Sequence, residues 1–285
     1  NLAQLYVGRD NDKALHFAKT ARTLMPDDPR VAHTLGRIAY DSRDFAWALS
    51  LLQQCERALP NDPAVLFDLA HASFSMGRIQ EAQSAMRRAQ QADAALAQSQ
   101  ETRDFLAMTG ICLDPTGAQP ATKPESVLQR DPNNLPALAA SGVLQGYRGE
   151  YRQAIATFTR VLELCPTFSP ADKHLALLYA RFPQDEARAY EHALKARRSF
   201  PDDTEVARTL GVLAHKRGDY RRAVQLLKES VSKLPTDAEA FFYLGLAHHR
   251  LGEKKESALA LQKAIALDLS QPLREEAERT LSQLN

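Results

Sequence analysis

Apolar positions along this chain recur at helical spacing, in paired stripes separated by short turns. Between Leu135 and Phe168 a first stripe carries Leu138, Ser141, Gly142 and Gln145. The small residues at the middle of that face let a second helix approach closely. Gly149 stops the helix, because glycine takes the left-handed conformation that a helix end often needs. Tyr151 opens a second stripe, with Ala154, Phe158 and Val161 following at i, i+4 and i+7. Leu164 extends its apolar side, and Pro166 ends it because proline cannot continue the hydrogen-bond ladder. The spacing predicts one helix-turn-helix unit over residues 135–168, 34 residues long. Neither helix buries its stripe alone, so the unit demands neighbours of its own kind.

Copies are found on both sides. Residues 1–28 read as a truncated copy with Ala14, Ala18 and Ala21, ending at Pro26. Residues 29–62 carry Leu35, Gly36, Phe45, Ala48, Leu52, Cys55 and Pro60, and residues 63–96 carry Leu66, Leu69, Ala70, Gly77, Ile79, Ala82, Met86 and Ala89. Residues 169–203 repeat the unit with one extra residue, expected in the turn near Arg181-Phe182-Pro183. Residues 204–237 and 238–271 follow. Asp28-Pro29 and Asp62-Pro63 put an N-cap acceptor before a proline at the first helical position, and Ser169-Pro170 is expected to do the same. The segment 272–285 reads as a last helix with Leu273, Ala277, Leu281 and Leu284 on one side, a polar-backed cap for the final exposed face.

Residues 97–134 break the pattern. A first helix is expected over about 97–109. Pro120 and Pro124 fall where its mate should run, and proline costs about 3 kcal/mol in a helix interior. The expectation is a loop over Thr109–Thr122 and a short helix over Pro124–Arg130 in a degenerate copy, the loop being either functional or merely tolerated.

Gly142, Gly149, Tyr151, Ala154, Phe158 and Pro166 match the tetratricopeptide repeat pattern in residue type and spacing. The chain resembles that family over nearly its whole length. The resemblance implies an all-α fold: a right-handed α-α superhelix, a solenoid of about eight helix-turn-helix repeats, one degenerate, with a C-terminal capping helix, in a single domain over 1–285. It also implies that first helices line a concave wall where an extended peptide or partner helix docks.

Charge and composition agree with a helical binding module. The net charge is +1 with 25% charged residues, so no global basic field drives nucleic-acid binding. No run of about 18 apolar residues exists to span a membrane. The chain begins Asn-Leu-Ala, without a methionine or a signal region, and reads as a piece of a longer protein whose compartment, cytoplasmic or bacterial periplasmic, stays open. Its three cysteines, Cys55, Cys112 and Cys165, are odd in number and widely spaced, which argues against a disulfide framework or zinc site and for buried, small apolar side chains.

Candidate binding residues are the first-helix positions that the repeat pattern leaves over. In the two early repeats they are Arg30, His33, Arg37, Tyr40, Phe67, His71 and Phe74. In the later ones they are Lys173, His174, Arg181, Arg208, His215, Lys216, Phe242, Tyr243, His249 and Arg250. Aromatic and cationic side chains are the types enriched in protein-binding surfaces. The expected partner is a protein or peptide segment that is acidic or carboxylate-bearing, with apolar anchors. The repeat 135–168 offers only Ala139, Ala140, Val143 and Tyr147. The heat-shock-chaperone clamp of some relatives is not supported, because Leu177 and Thr209 stand where asparagines are needed and Tyr243 where a basic residue is. The asparagine ladder of the sugar-transferring relatives is also missing.

Chemistry is not indicated. His215 and His249 fall on adjacent repeats whose helices pack at least ~8–10 Å apart, too far for a shared metal with Zn–N near 2 Å. Cys112 with Asp114 has no histidine nearby in sequence to activate it. The reading is a non-enzymatic scaffold with no catalytic, metal or cofactor residues. Alternatives are the regulatory or substrate-docking arm of a larger enzyme, such as a glycosyltransferase or sulfotransferase, or a scaffold for bacterial envelope or exopolysaccharide assembly. The first repeat, unsealed at its N-terminal end, also allows self-association.

Overall fold

In the computed structural model, residues 2–6, 9–117 and 122–284 are described, and among them every regular element is helical. The chain divides into two compact units, residues 1–171 and 172–285.

The first unit starts with α1 (Leu2–Tyr6) and α2 (Asn11–Leu24). The pairs α3 (Pro29–Asp41) with α4 (Phe45–Ala58), and α5 (Pro63–Ser75) with α6 (Ile79–Ala92), come next. Then follow α7 (Ala94–Gln98), α8 (Gln100–Leu113), α9 (Pro124–Arg130), and the pair α10 (Leu135–Tyr147) with α11 (Tyr151–Leu164). Asp28 accepts from the Arg30 N–H, and Asp62 from those of Ala64 and Val65, so both Asp-Pro joints are true N-caps. The helix α12 (Ser169–Tyr179) begins on Ser169 itself, the residue expected to cap it, one position before the expected start at Pro170.

Within each pair the close approach comes from the small residue of the first helix. A Cβ added to Gly142 would lie 2.9 Å from the Phe158 ring, so only glycine admits that ring at this separation. Gly149 closes α10 at φ +80, the left-handed conformation that the sequence implies.

The irregular repeat departs from expectation at one end and matches it at the other. α8 runs on through Leu113, past Thr109, because Met108 and Ile111 are buried against Val127, Ala137 and Ala140. The irregular connection therefore begins at Asp114, and its residues 118–121, with Pro120, lie outside the described residues. The second helix is α9, seven residues long where α4, α6 and α11 each have fourteen. α10 packs directly on α8.

The second unit begins within α12. A 3₁₀ turn at Pro183–Asp185 absorbs the extra residue, and α13 (Glu186–Ser199) follows. The pairs α14 (Thr204–Lys216) with α15 (Tyr220–Lys233), and α16 (Ala238–Arg250) with α17 (Lys254–Ala266), come next. α18 (Gln271–Leu284) closes the unit, burying Ala277 beside Phe242, Leu246, Leu261 and Ala264, with Leu273 and Leu281 packed at its margin.

Candidate functional site

The first-helix faces of the first unit carry a continuous row of rings. Phe67 lies 4.8 Å from His71, and His71 lies 4.7 Å from Phe105. Phe105 lies 5.8 Å from Phe74, and Phe74 lies 5.1 Å from Phe168. Tyr40 meets His71 edge-on at 6.5 Å, and its hydroxyl oxygen accepts from Ser75 Oγ at 3.4 Å.

One end of the row is closed by the chain itself. Cys165 Sγ and Thr167 Oγ1 each donate to the Ser75 carbonyl at 3.2 Å, and Arg43 Nη1 donates to the Leu164 carbonyl at 3.1 Å. These bonds seat the joint after α11 on the end of α5 and drive Phe168 against Phe74, each 1% exposed. Phe74 is thus core, not a groove residue, because Phe168 takes the place a ligand would need. Phe242 is likewise core at 1% exposure, because the closing helix α18 covers that face of α16.

The other end of the row is open. A pocket of about 190 Å3 is lined by Arg37, Tyr40, Asp41, Leu52, Phe67, Asp68, His71 and Glu101. A second, of about 240 Å3, shares His71 and Glu101 and adds Asp104, Phe105, Arg130 and Asp131 among its walls. His33 Nε2 is 2.7 Å from Asp68, with Arg37 at 3.7 Å from the same oxygen. Burial pushes the imidazole of His71 down to about 4, against the pull of Asp68, so the ring is neutral. Arg30 is exposed.

The candidates of the second unit form ion pairs between successive repeats. Lys173 Nζ is 2.7 Å from Asp203 and 3.2 Å from Glu205, and Arg208 is 2.8 Å from Glu239 and 3.6 Å from Asp237. Lys216 pairs with Glu186. Burial works against the charge on Asp203, but hydrogen bonds from Lys173 and the Val206 N–H hold its carboxyl below the usual range. His215 lies edge-on to both Tyr220 (5.4 Å) and Tyr243 (5.5 Å). Burial, then the charges of Arg250 and Lys216, lower its pKa. Burial raises that of Tyr243. His174, lowered to about 4 by burial and by Lys173, and His249 are half-buried, whereas Arg181 and Arg250 are exposed.

A larger cleft, about 920 Å3, lies beside the short helix α9 and is lined by Leu106, Ile111, Pro115, Leu144, Tyr147 and neighbours. Among the described residues no group of three or more His, Cys, Asp or Glu side chains is placed to hold a metal, and no helix is long and apolar enough to cross a membrane.

Asp68, Glu101, Phe105 and Phe168 were not singled out by sequence reasoning. Asp68 shares the first-helix segment Phe67–His71 and was within reach of the same positional argument. Glu101 and Phe105 sit in the repeat whose register is lost, and Phe168 acts through a contact with Phe74, far from it in sequence.

Paired helices stacked through small-residue contacts, with rings and charges left on the first helices, define a helical-repeat binding scaffold. Tetratricopeptide repeat models match residues 39–100, 137–171, 172–238 and 209–272, and the chain belongs to the tetratricopeptide repeat family. Curated proteins yield no match. Among solved structures the chain is similar to YrrB, described as a TPR protein with an unusual peptide-binding site. The two are 14% identical, with 80% of this chain and 97% of that one covered and a TM-score of 0.46. It is also similar to MamA, at 21% identity over 54% of this chain and 87% of that one, with a TM-score of 0.44. MamA from Desulfovibrio magneticus RS-1, from residue 41 on, gives 15% identity, coverages of 73% and 96% and the same TM-score, 0.44.

Proposed function

We propose that the protein is a non-enzymatic scaffold that holds an extended segment of a partner protein against the first helices of its repeats. The observation that carries this reading is the open end of the ring row, where Tyr40, Phe67 and His71 line a pocket. Apolar rings flanked by charge are the usual anchors of protein interfaces. In the second unit an acidic segment would dock by exchange, taking Lys173 and Arg208 from the carboxylates that now hold them.

The test is a peptide selected from a display library against the intact chain. Alanine at Tyr40 with Phe67 is expected to weaken its binding on the order of tenfold or more, the effect of losing an interface anchor. For a glutamate-rich peptide, alanine at Arg208 with Lys216 and Arg250 is expected to do the same. Binding retained undiminished at low salt in both variants overturns the reading. Self-association through the N-terminal end is the remaining part of the proposal. Leu5 there is 64% exposed, and Leu5→Glu is expected to abolish any dimer seen by sedimentation.

A further inference from the structure

We infer that the open pocket of the first unit is built to take a cationic side chain, a lysine or arginine of the docked segment. This rests on the proposed docking surface and fixes its chemistry. The two adjoining pockets measure about 190 and 240 Å3, sized for a side chain rather than for a small-molecule ligand, whose sites run to roughly 300–1,000 Å3.

The charge lining them is unbalanced. Asp68 is spent on His33 and Arg37, and Asp104 on Arg130. Asp41, Glu101 and Asp131 have no cation within ion-pairing distance among the described residues. Burial, with repulsion from Asp68, raises the Asp41 carboxyl even though Arg37 is near enough to oppose it. An incoming ammonium or guanidinium would relieve that cost.

Two further features face the same way. The rings of Tyr40 and Phe67 line the same pocket as the carboxylates, and aromatic rings beside acidic groups favour a desolvated cation. His71 Nε2 is enclosed and has no hydrogen-bond partner, and His71 stands on the wall common to both pockets. A small shift of that wall would let this nitrogen meet an N–H donor in the tautomer that leaves it unprotonated. Carboxylates in excess, aromatic walls and an unpartnered ring nitrogen together suit a lysine or arginine better than an acidic side chain.

The test uses fluorescein-labelled peptides of one sequence template, alternating phenylalanine and glycine, with the remaining positions all lysine or all glutamate. They are titrated against the intact chain by anisotropy at low and high salt. Expected is binding of the lysine peptide that falls with salt as exposed charge pairs do. In Asp41→Asn with Glu101→Gln that binding is expected to drop on the order of tenfold, one interface anchor's worth. Neither residue forms an ion pair among the described residues, and circular dichroism checks that the variant is helical. Lysine-peptide binding unchanged in the double variant, or glutamate-peptide binding lost in Phe67→Ala, overturns the cationic assignment. If lysine-peptide binding is still lost in Phe67→Ala, the docking surface itself stands. Binding of neither peptide overturns both readings.

Discussion

Phe168, in the joint after α11, lies with its ring 5.1 Å from that of Phe74 on α5, and both are buried. The contact joins residues of non-adjacent repeats, and the Cys165 and Thr167 donors to the Ser75 carbonyl fix its register. It makes the first unit a body closed on itself at one end. Phe168→Ala removes a fully enclosed ring, a change that costs about 3–5 kcal/mol. Urea unfolding of the chain is expected to show a loss of that size in the transition that includes α5. A loss below about 1 kcal/mol, the level of ordinary surface substitutions, would show that the joint is not seated on α5.

The two glycines of the best-formed repeat do different work. At Gly142 an added Cβ meets the Phe158 ring at 2.9 Å, whereas at Gly149 it meets nothing within 4 Å but the backbone stands at φ +80. Gly142→Ala is expected to cost about 1–3 kcal/mol through overpacking. Gly149→Ala should cost about 1–2 kcal/mol, the left-handed penalty for an L-residue. Gly142→Ala should additionally be relieved by shrinking the partner, so Gly142→Ala with Phe158→Leu should cost less than the sum of the two single changes. A double-mutant cycle reads the difference.

How much of this was legible in sequence depended on whether the deciding contact was local. Gly149, the Asp62 cap and the helix Pro124–Arg130 follow from residues within a few positions of one another. Cys55 was legible as core because it falls on a packing stripe. Phe74 and Phe242 were not: both stand at first-helix positions that face outward in an unencumbered repeat. What buries them is Phe168 in one case and α18 in the other, neighbours that helical periodicity does not reveal. The ion pairs of Lys173 and Arg208 were missed for the same reason: their partners, Asp203 with Glu205 and Asp237 with Glu239, stand at the start of the next repeat's first helix. The end of α8 was misplaced because the two prolines were weighed and the burial of Met108 and Ile111 against α10 was not.

His71 makes the stability of the first unit sensitive to acid. Its folded pKa, about 4, lies below the ordinary histidine value of 6.5, with burial as the cause. The unfolded chain therefore binds the proton more readily, and stability is full above about 6.5 and is lost as pH falls from there toward 4. A unit of pKa is worth about 1.4 kcal/mol, so the loss from this ring is on the order of 3 kcal/mol. His71→Phe keeps a ring between Phe67 and Phe105 and removes the proton site. Urea midpoints measured between pH 7 and pH 4 should fall less in this variant than in the parent. An unchanged slope would mean that the ring is protonated without cost, and hence is solvated.

The cysteines give a chemical readout of the same burial. Burial pushes the Cys55 thiol up to about 11 and that of Cys112 up to about 12, and it raises Cys165 as well. Cys55 Sγ donates to the Pro29 carbonyl at 3.3 Å, as Cys165 Sγ does to that of Ser75, so each thiol is held in its protonated form. Alkylation needs the thiolate, and an unperturbed cysteine at about 8.5 is ionised to roughly a quarter at pH 8. At a pKa near 11 the ionised fraction is a few hundredfold smaller. Iodoacetamide at pH 8 should therefore leave Cys55 and Cys112 unmodified on a timescale that labels a free peptide cysteine fully, and all three should react in denaturant. Site-resolved mass spectrometry tells the thiols apart. Rapid native labelling at Cys165 alone would show that the joint carrying Phe168 lifts away from α5, and it should be accelerated by Phe168→Ala and left unchanged by Gly149→Ala.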